Sequence, residues 1–228
     1  MKIVPMSVEL VDSMGTDLSV VNAARVSFDK ESVGEYDNLT ERVWPTKEDE
    51  KLIEYLAKHN HWSPFAHAFA SFRIKAPIFV ARQLVKHQVG LSWNEVSRRY
   101  VNSEPEFWFP KEWRGKPVNA KQGSSGVLDM LDTDADHVMW FEGIVKDSLD
   151  WYTTQVQRGV APEQARMILP QNTMTEFIWS GSLYAFARVC NLRMTEYAQQ
   201  EIKEMATMIS EVIEPLFPIS WKYLVSTN

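Results

Sequence analysis

The segment from Pro77 to Tyr100, PIFVARQLVKHQVGLSWNEVSRRY, most strongly constrains how this chain folds and what it binds. Its first half is apolar and begins with proline, which is favoured in the first turn of a helix because it lacks a backbone N–H. Its second half is dense in amide, imidazole, hydroxyl and guanidinium groups, which are rarely buried in a core. We therefore expect an apolar helix that leads into a polar elbow. Such an elbow suits a site for a flat polar ring and phosphate oxygens.

The composition is that of an ordinary globular protein, with 45% hydrophobic and 24% charged residues among 228. A net charge of −6 argues against broad binding to nucleic acid or to a membrane surface, since both need a basic face. The single cysteine, Cys190, excludes an intrachain disulfide and fits a reducing cytoplasm, where we expect the protein to reside. No apolar run approaches the ~18 residues needed to span a bilayer.

The hydrophobic periodicity predicts one α+β domain over residues 1–228, with an antiparallel or mixed sheet flanked by long helices. Alternation predicts a strand over 66–74, and Pro77 is expected to start a helix over 78–88. Thr46 with Asp49 or Glu50 is expected to start another helix, which ends near Asn60. Further strands are expected at 2–11 and 173–179, and further helices at 18–28 (capped by Asp17), 134–158, 163–169, 182–191, 195–216 and from Pro218. Residues 30–45 and 121–126 are predicted to be loops, and 104–118 an extended ribbon.

On the expected helix over 78–88, residues three and four apart share a face, so Gln83, Lys86 and His87 are predicted to project together. This face offers an amide, an ammonium and an imidazole to an anionic or heteroaromatic ligand. A merely solvated helix face stays open as an alternative. The elbow adds donors and acceptors of the same kind: Arg99 has a guanidinium fork that matches phosphate, and Glu95 is an acceptor for a ring N–H or a ribose hydroxyl.

Arg166 and Arg193 lie in apolar stretches, QARMILP and CNLR. Arginine is rarely buried without a partner, so we expect an anion near each, either a carboxylate of the chain or a ligand. The phosphate site must rely on side chains and helix N-termini, because the chain contains neither G-x-G-x-x-G nor G-x-x-x-x-G-K.

Three histidines, His59, His61 and His67, fall within nine residues. Their spacing matches no zinc signature, and the run contains neither cysteine nor carboxylate, so we predict no metal. A hydrogen-bonding wall of a cofactor pocket is the favoured interpretation. Cys190 lies in an apolar stretch and is expected to be an inert buried thiol rather than a nucleophile.

Several motifs in order resemble the flavin-dependent thymidylate synthase family over nearly the whole chain. They are VELVDSMGTDLSVVNAARVSFD, HNHWSPFAH, APIFVARQ, KHQVGLSWNEVSRRY, QARMILP and NLR. The chain departs from the family pattern around the expected flavin site. Lys86 and Gln88 replace arginines, eight rather than seven residues separate Gln88 from Ser97, and Ala66 replaces a glutamate. Ser182, Tyr184 and Arg188 also stand where many members have Asn, Arg and Asn.

The resemblance implies a homotetrameric enzyme that reductively methylates dUMP to dTMP. Methylenetetrahydrofolate would supply the carbon, and NADPH would supply reducing equivalents through FAD. Arg193 would be catalytic at the pyrimidine, and His61 would border the folate. The implied dUMP contacts are Gln83, Lys86, Glu95, Val96, Ser97, Arg98, Arg99, Arg166 and Arg193. The implied FAD contacts are Ser27, Ser63, Lys86, His87, Gln88, Asn94, Glu95, Ser182, Tyr184 and Arg188.

Three other functions remain open from the residues. A metal-dependent nucleotide phosphohydrolase would use the three histidines, and a nucleotide- or RNA-binding module would use the strip from Lys86 to Arg99. A flavin-dependent relative that transfers hydroxymethyl to dUMP would have the same motifs, so the mass of the product separates it.

Overall fold

The computed structural model describes residues 1–101, 103–118, 123–128 and 134–225, and only the backbone of 134–138. The strands are β1 Lys2–Ile3, β2 Ser7–Met14, β3 Glu35–Asp37, β4 Arg42–Trp44, β5 Phe69–Pro77, β6 Leu91–Glu95, β7 Glu106–Phe107 and β8 Met174–Ser182. The α-helices are α1 Asp17–Arg25, α2 Lys47–Lys58, α3 Ile78–Leu84, α4 Asp134–Gln157, α5 Pro162–Ala165, α6 Leu183–Arg193, α7 Gln200–Ile213 and α8 Pro218–Leu224. Short 3-10 turns cover Val26–Phe28, Pro64–His67 and Arg166–Ile168.

The main sheet has four strands in the order β2-β5-β8-β6, and every neighbouring pair is antiparallel. The predicted α+β class with an antiparallel sheet is therefore confirmed. The alternation predicted for β5 is also correct, because Ala70, Phe72, Ile74 and Ala76 are all buried. The strand begins three residues later than expected, since Pro64 opens a 3-10 turn instead of an extended segment.

Helices cover the apolar face of this sheet. Trp179 and Phe72 from the strands both meet the ring of Phe186 on α6 edge to face, with centroids 5.3 and 5.0 Å apart. A second, smaller cluster joins α4 and α5 to Phe107, so the predicted long helix packs as an amphipathic element. None of the helices in the described ranges is long and apolar enough to cross a membrane.

Several element boundaries differ from the sequence prediction. The N-terminal strand is divided into β1 and β2, which pair with different partners, and residues 30–45 contain the hairpin β3–β4. Helix α3 ends at Leu84 rather than 88, and residues 91–95 of the predicted elbow form an edge strand. Helix α7 begins at Gln200, five residues later than expected. Of the predicted loop 121–126, residues 121 and 122 lie outside the described residues.

Helix caps show where local sequence is a good guide and where it is not. Thr46 caps α2, with a reciprocal capping box to Asp49, as predicted. Asp17 does not cap α1, whose N-cap is Thr16. Instead the buried Asp17 carboxylate accepts from the backbone N–H groups of Ile219 and Ser220, at 2.9 and 2.8 Å, and so caps α8. Burial raises the pKa of Asp17 despite these hydrogen bonds.

Candidate active site

The turn between α3 and β6 brings the polar side chains of the central motif to one cavity. Val85 N–H donates to Ala81 O and His87 N–H donates to Leu84 O, which closes the last turn of α3. Gly90, at φ +76°, then redirects the chain into β6. Lys86, His87 and Gln88 therefore line the cavity as turn residues rather than as a helix face.

Gln83 does not share this cavity, which corrects the predicted Gln83–Lys86–His87 face. Since α3 stops at Leu84, Gln83 remains on the helix and its Nε2 donates to Gln199 Oε1, just before α7. The side chain is half-buried and so stays near the surface.

The cavity has a volume of about 580 Å³ and lies between the end of α2, the α3–β6 turn, α6 and α8. A second cavity of about 710 Å³ adjoins it along the start of β6 and the end of β8, and it is lined mainly by apolar groups. The two cavities share Trp62, Val89, Leu91, Tyr184, Ala185 and Arg188. Together they form one continuous site with a cationic part and an aromatic part.

Three cations surround His87: Lys86 beside it, and Arg188 and Arg193 on α6. Within the part of the chain that the structure describes, none of the three forms an ion pair with a carboxylate. Lys86 and Arg188 line the cavity, whereas Arg193 lies beside His87 and is not among the lining residues. Positive charge without a carboxylate partner at a cavity attracts anions, because the field there is poorly screened. The anion that the sequence predicted near Arg193 is therefore not a carboxylate of the described residues.

His87 accepts a hydrogen bond from Arg193, with 3.0 Å between Arg193 Nε and His87 Nε2. Burial lowers the pKa of His87, and the positive charges of Arg193 and Arg188 lower it further. The neutral imidazole is thus the form that the site favours, and only this form has a free ring nitrogen to accept the Arg193 N–H.

We expect anion binding at this site to strengthen as the pH falls, because protonation of His87 adds a positive charge to the cluster. Because the pKa of His87 is lowered, the folded protein loses stability as pH drops from about 6.5, the ordinary value, towards that lowered pKa. Protonation also removes the acceptor for Arg193. Calorimetric titration with dUMP, the substrate that the family resemblance implies, from mildly acidic to mildly alkaline pH tests this expectation. In His87→Gln, which keeps an acceptor that does not titrate, the affinity for dUMP should no longer change across the acidic range. A change that persists in this variant would belong to another titrating group.

The elbow residues form a second group on and after β6. Ser97 Oγ accepts from the backbone N–H and from Nε of Arg99, at 3.3 and 3.2 Å. Arg98 donates to Ser103 O and lies in a separate cavity beside Glu104 and Glu106. These contacts keep the Arg99 guanidinium at the surface, close to Ser97.

The rest of this group lies on the edge strand itself or just beyond it. Asn94 is exposed, and Val96 N–H donates to Glu176 O at 2.8 Å. Glu95 accepts from Thr175 and from Trp93. Neither Asn94 nor Val96 lines the two cavities around His87.

Arg166 is exposed, which corrects the prediction of apolar surroundings. It lies in a 3-10 turn after the one-turn helix α5, and its Nε donates to Glu163 O at 3.3 Å. The apolar residues Met167 and Ile168 beside it are exposed as well, so the sequence pattern there does not mark a core.

The residues expected near a flavin are only partly brought together. Ser182 caps α6, with its Oγ accepting from Ala185 N–H at 3.3 Å, and lines the aromatic cavity with Tyr184 and Arg188. Ser27 and Ser63 are exposed and line neither cavity.

The sequence analysis did not select several residues that line the site. Trp62, with its ring centroid 6.3 Å from that of Tyr184, bounds both cavities, and Asn191 and Tyr223 bound the cationic one. Their positions in the HNHWSPFAH and NLR motifs were a usable signal for Trp62 and Asn191. Tyr223 had none, because α8 reaches the site only through tertiary packing.

The histidine-rich run contributes one of its three histidines to the cavity. His61 lines it, in edge contact with Tyr55 at 5.8 Å, while His59 packs on the same ring at 4.3 Å. No group of three or more His, Cys, Asp or Glu among the described residues is placed to hold a metal ion.

Cys190 is fully buried beneath the site, and burial raises the pKa of its thiol to about 12. Its Sγ donates to Ala206 O at 3.6 Å.

A thiol so rarely ionised is a poor nucleophile, so we expect Cys190→Ser, whose hydroxyl can donate to the same carbonyl, to retain normal turnover. Cys190→Ala controls for packing. Complete loss of activity in both variants, with an intact fold, would make the thiol essential.

Comparison with known proteins identifies the family. Residues 9–219 match the family model described as Thy1, thymidylate synthase complementing protein. A flavin-dependent thymidylate synthase from Thermus thermophilus is 38% identical over 214 residues, which cover 94% of this chain and 73% of that protein. The chain belongs to the flavin-dependent thymidylate synthase family.

Another member and one solved structure extend this result. The flavin-dependent thymidylate synthase of Thermotoga neapolitana is 37% identical over 216 residues, covering 95% of this chain and 88% of that protein. Among solved structures, the UMP/dUMP methylase PolB from Streptomyces cacaoi, bound with 5-Br dUMP, superposes with a TM-score of 0.82 at 28% identity. That match covers 99% of this chain and 100% of PolB. The α+β fold of this flavin-dependent thymidylate synthase family member is thus shared with a nucleotide methylase.

Proposed function

We propose that this protein reductively methylates dUMP to dTMP, with methylenetetrahydrofolate as carbon donor and NADPH as reductant through FAD. The observation that carries the proposal is the cluster of Lys86, Arg188 and Arg193 around a neutral His87, without a carboxylate partner among the described residues. Such a cluster suits a dianionic phosphate or an electron-rich pyrimidine. The likeness to PolB, whose structure contains a brominated dUMP, supports a uracil nucleotide as substrate.

The side chains of the two cavities also fit a flavin. Lys86, Gln88 and Arg188 offer charged and amide donors for a pyrophosphate, while Trp62 and Tyr184 border an apolar space for a ring. When bound, FAD supplies hydride transfer, and the protein supplies position and field. Four further residues were predicted to contact FAD but line neither cavity: Ser27, Ser63, Asn94 and Glu95. Any contact they make with FAD would come from outside the two cavities of one protomer.

Arg193 is the residue we assign to catalysis. Its Nε donates to His87, and no hydrogen bond or ion pair engages its Nη groups within the described residues, so both stay available to a ligand. A fixed guanidinium beside the uracil ring would stabilise the ring when it loses the N3 proton and becomes electron-rich. In a site that excludes water this electrostatic effect amounts to about 3 kcal/mol.

Gln83, Ser97, Arg99 and Arg166 are proposed to bind the nucleotide, chiefly its phosphate, with Val96 and Arg98 beside them. Within one protomer their contacts place them in separate groups: Gln83 with Gln199, Ser97 with Arg99, and Arg166 with Glu163. We propose a homotetramer in which neighbouring subunits bring these groups together. The exposed side of the main sheet, with Arg73 and Phe69, is consistent with further burial in an assembly.

Purification followed by a visible spectrum tests the flavin, and titration with dUMP tests the substrate. A yellow protein that turns over dUMP, folate and NADPH to dTMP supports the proposal. A product heavier than dTMP by one oxygen identifies a hydroxymethyl transferase, and a colourless protein with stoichiometric zinc identifies a metal-dependent hydrolase. UMP is assayed in parallel, since PolB is described as a methylase of both UMP and dUMP.

A further inference from the structure

Both carboxylate oxygens of Glu95 are held by neutral donors of this chain. Thr175 Oγ donates to Oε1 at 2.7 Å, and Trp93 Nε1 donates to Oε2 at 3.2 Å. Within the described ranges, no lysine, arginine or histidine forms an ion pair with Glu95. The Glu95 carboxylate at this edge of the sheet is therefore held in one orientation, and no cation of the described residues is paired with it.

The two donors are themselves rigid. Thr175 is buried on the central strand β8, with 6% of its surface exposed. Trp93 stacks on Phe177 with centroids 3.6 Å apart and meets Trp179 edge to face at 5.6 Å. Because strands β6 and β8 are paired in register at Glu95 and Phe177, the clamp is built into the sheet. A side chain on an edge strand would otherwise rotate freely in solvent.

We propose that Thr175 and Trp93 are positioning residues that hold the Glu95 carboxylate in place as a hydrogen-bond acceptor for the nucleotide substrate. Each carboxylate oxygen accepts two hydrogen bonds, so one acceptor position per oxygen remains for a ring N–H or a ribose hydroxyl. Fixing the carboxylate beforehand avoids the loss of rotamer freedom when the nucleotide binds. This inference rests on the proposed function, since it assigns the clamp to dUMP binding.

The decisive variant is Thr175→Val, which removes the hydroxyl and keeps the shape of the side chain. We expect the Kd for dUMP, measured by calorimetry on FAD-loaded protein, to rise about tenfold, the effect of losing one hydrogen bond to a charged group. The dUMP KM should rise with it, while kcat changes less. Thr175→Ser restores the donor and should remain within about threefold of wild type.

Thr173→Val is the matched control. Thr173 is also buried and directly precedes β8, but its hydroxyl has no hydrogen-bond partner within the described structure. Its substitution should leave the Kd for dUMP unchanged. Thermal unfolding of all variants separates a damaged sheet from a misplaced carboxylate. A loss of dUMP affinity that follows the loss of stability across the variants, Thr173→Val included, would overturn the clamp.

A double-mutant cycle shows whether Thr175 acts through Glu95. In a Glu95→Gln background, adding Thr175→Val should raise the Kd by less than about twofold, since the coupled partner is already gone. Two results would overturn the clamp: a rise in Kd of about tenfold when Thr175→Val is added to Glu95→Gln, or a rise of about tenfold in Thr175→Ser. If Glu95→Gln alone weakens dUMP binding but Thr175→Val does not, only this inference fails. If wild-type protein does not bind dUMP at all, the proposed function fails with it.

Discussion

Replacing Arg193 with alanine is expected to reduce dTMP formation by about 10³-fold, the scale on which a fixed stabilising donor contributes to kcat. The guanidinium is half-buried and oriented by His87 Nε2 at 3.0 Å, so no other cation of the cluster replaces its position. Single-turnover rates with FAD-loaded enzyme and saturating dUMP measure the chemical step, apart from any loss of affinity.

Two variants control for this result. Arg193→Lys keeps the charge but lacks the planar fork and the Nε–H that His87 accepts, so it should recover only a small part of the activity. Arg188→Ala removes an exposed cation of the same helix and should affect affinity for anions more than kcat. Normal turnover in Arg193→Ala, with the oligomeric state and flavin content unchanged, would remove the catalytic assignment.

Replacing Asp49 with alanine is expected to destabilise the fold by about 3 kcal/mol, the cost of leaving a charged partner unpaired. Asp49 is fully buried and accepts from Arg25 Nη2 at 2.7 Å and from Ser32 Oγ at 2.6 Å, as well as from Thr46. Arg25 is partly exposed, which places the expected loss at the low end of the range for buried pairs. Chemical denaturation with matched m-values measures the change.

The Asp49 effect also has a predicted pH dependence. Burial opposes ionisation of Asp49, but hydrogen bonds from Ser32, Arg25 and Thr46 outweigh burial and lower its pKa. Its contribution is therefore complete above the ordinary value of about 3.9 and disappears as the pH falls through the lowered pKa. The difference in stability between Asp49→Ala and wild type should shrink in that acidic range.

Glu48→Ala is the matched control, since Glu48 lies in the same first turn of α2 but is exposed. It should change the free energy of unfolding by less than about 1 kcal/mol. If Asp49→Ala is as stable as Glu48→Ala, the hydrogen bonds of Asp49 do not hold the 26–45 segment against α2.

Local signals in the sequence were sufficient for several elements. The Thr46–Asp49 capping box depends only on residues three apart, and it is formed as predicted. The period-two burial of Ala70, Phe72 and Ile74 follows from the pleat of a strand, whichever partner the strand has. Pro218 starts α8 because its ring already has the backbone angle that a helix requires.

Other features depended on partners distant in the chain. Asp17 looks like a cap for α1, yet it caps α8, about two hundred residues away. Residues 91–95 look like a polar elbow, yet they pair with β8 because its free edge satisfies their backbone groups. Neither preference is visible in a short stretch of sequence.

Motifs and periodicity were enough to predict the family and the α+β class, because these are properties of the chain order alone; the site residues taken from the same motifs stay a prediction. Three contacts could be seen only in the folded protein: Gln83 leaves the group of His87, Arg193 bonds to His87, and Thr175 clamps Glu95. Those contacts join residues 80 to 116 positions apart, and the packing of the helices against the sheet fixes such distances.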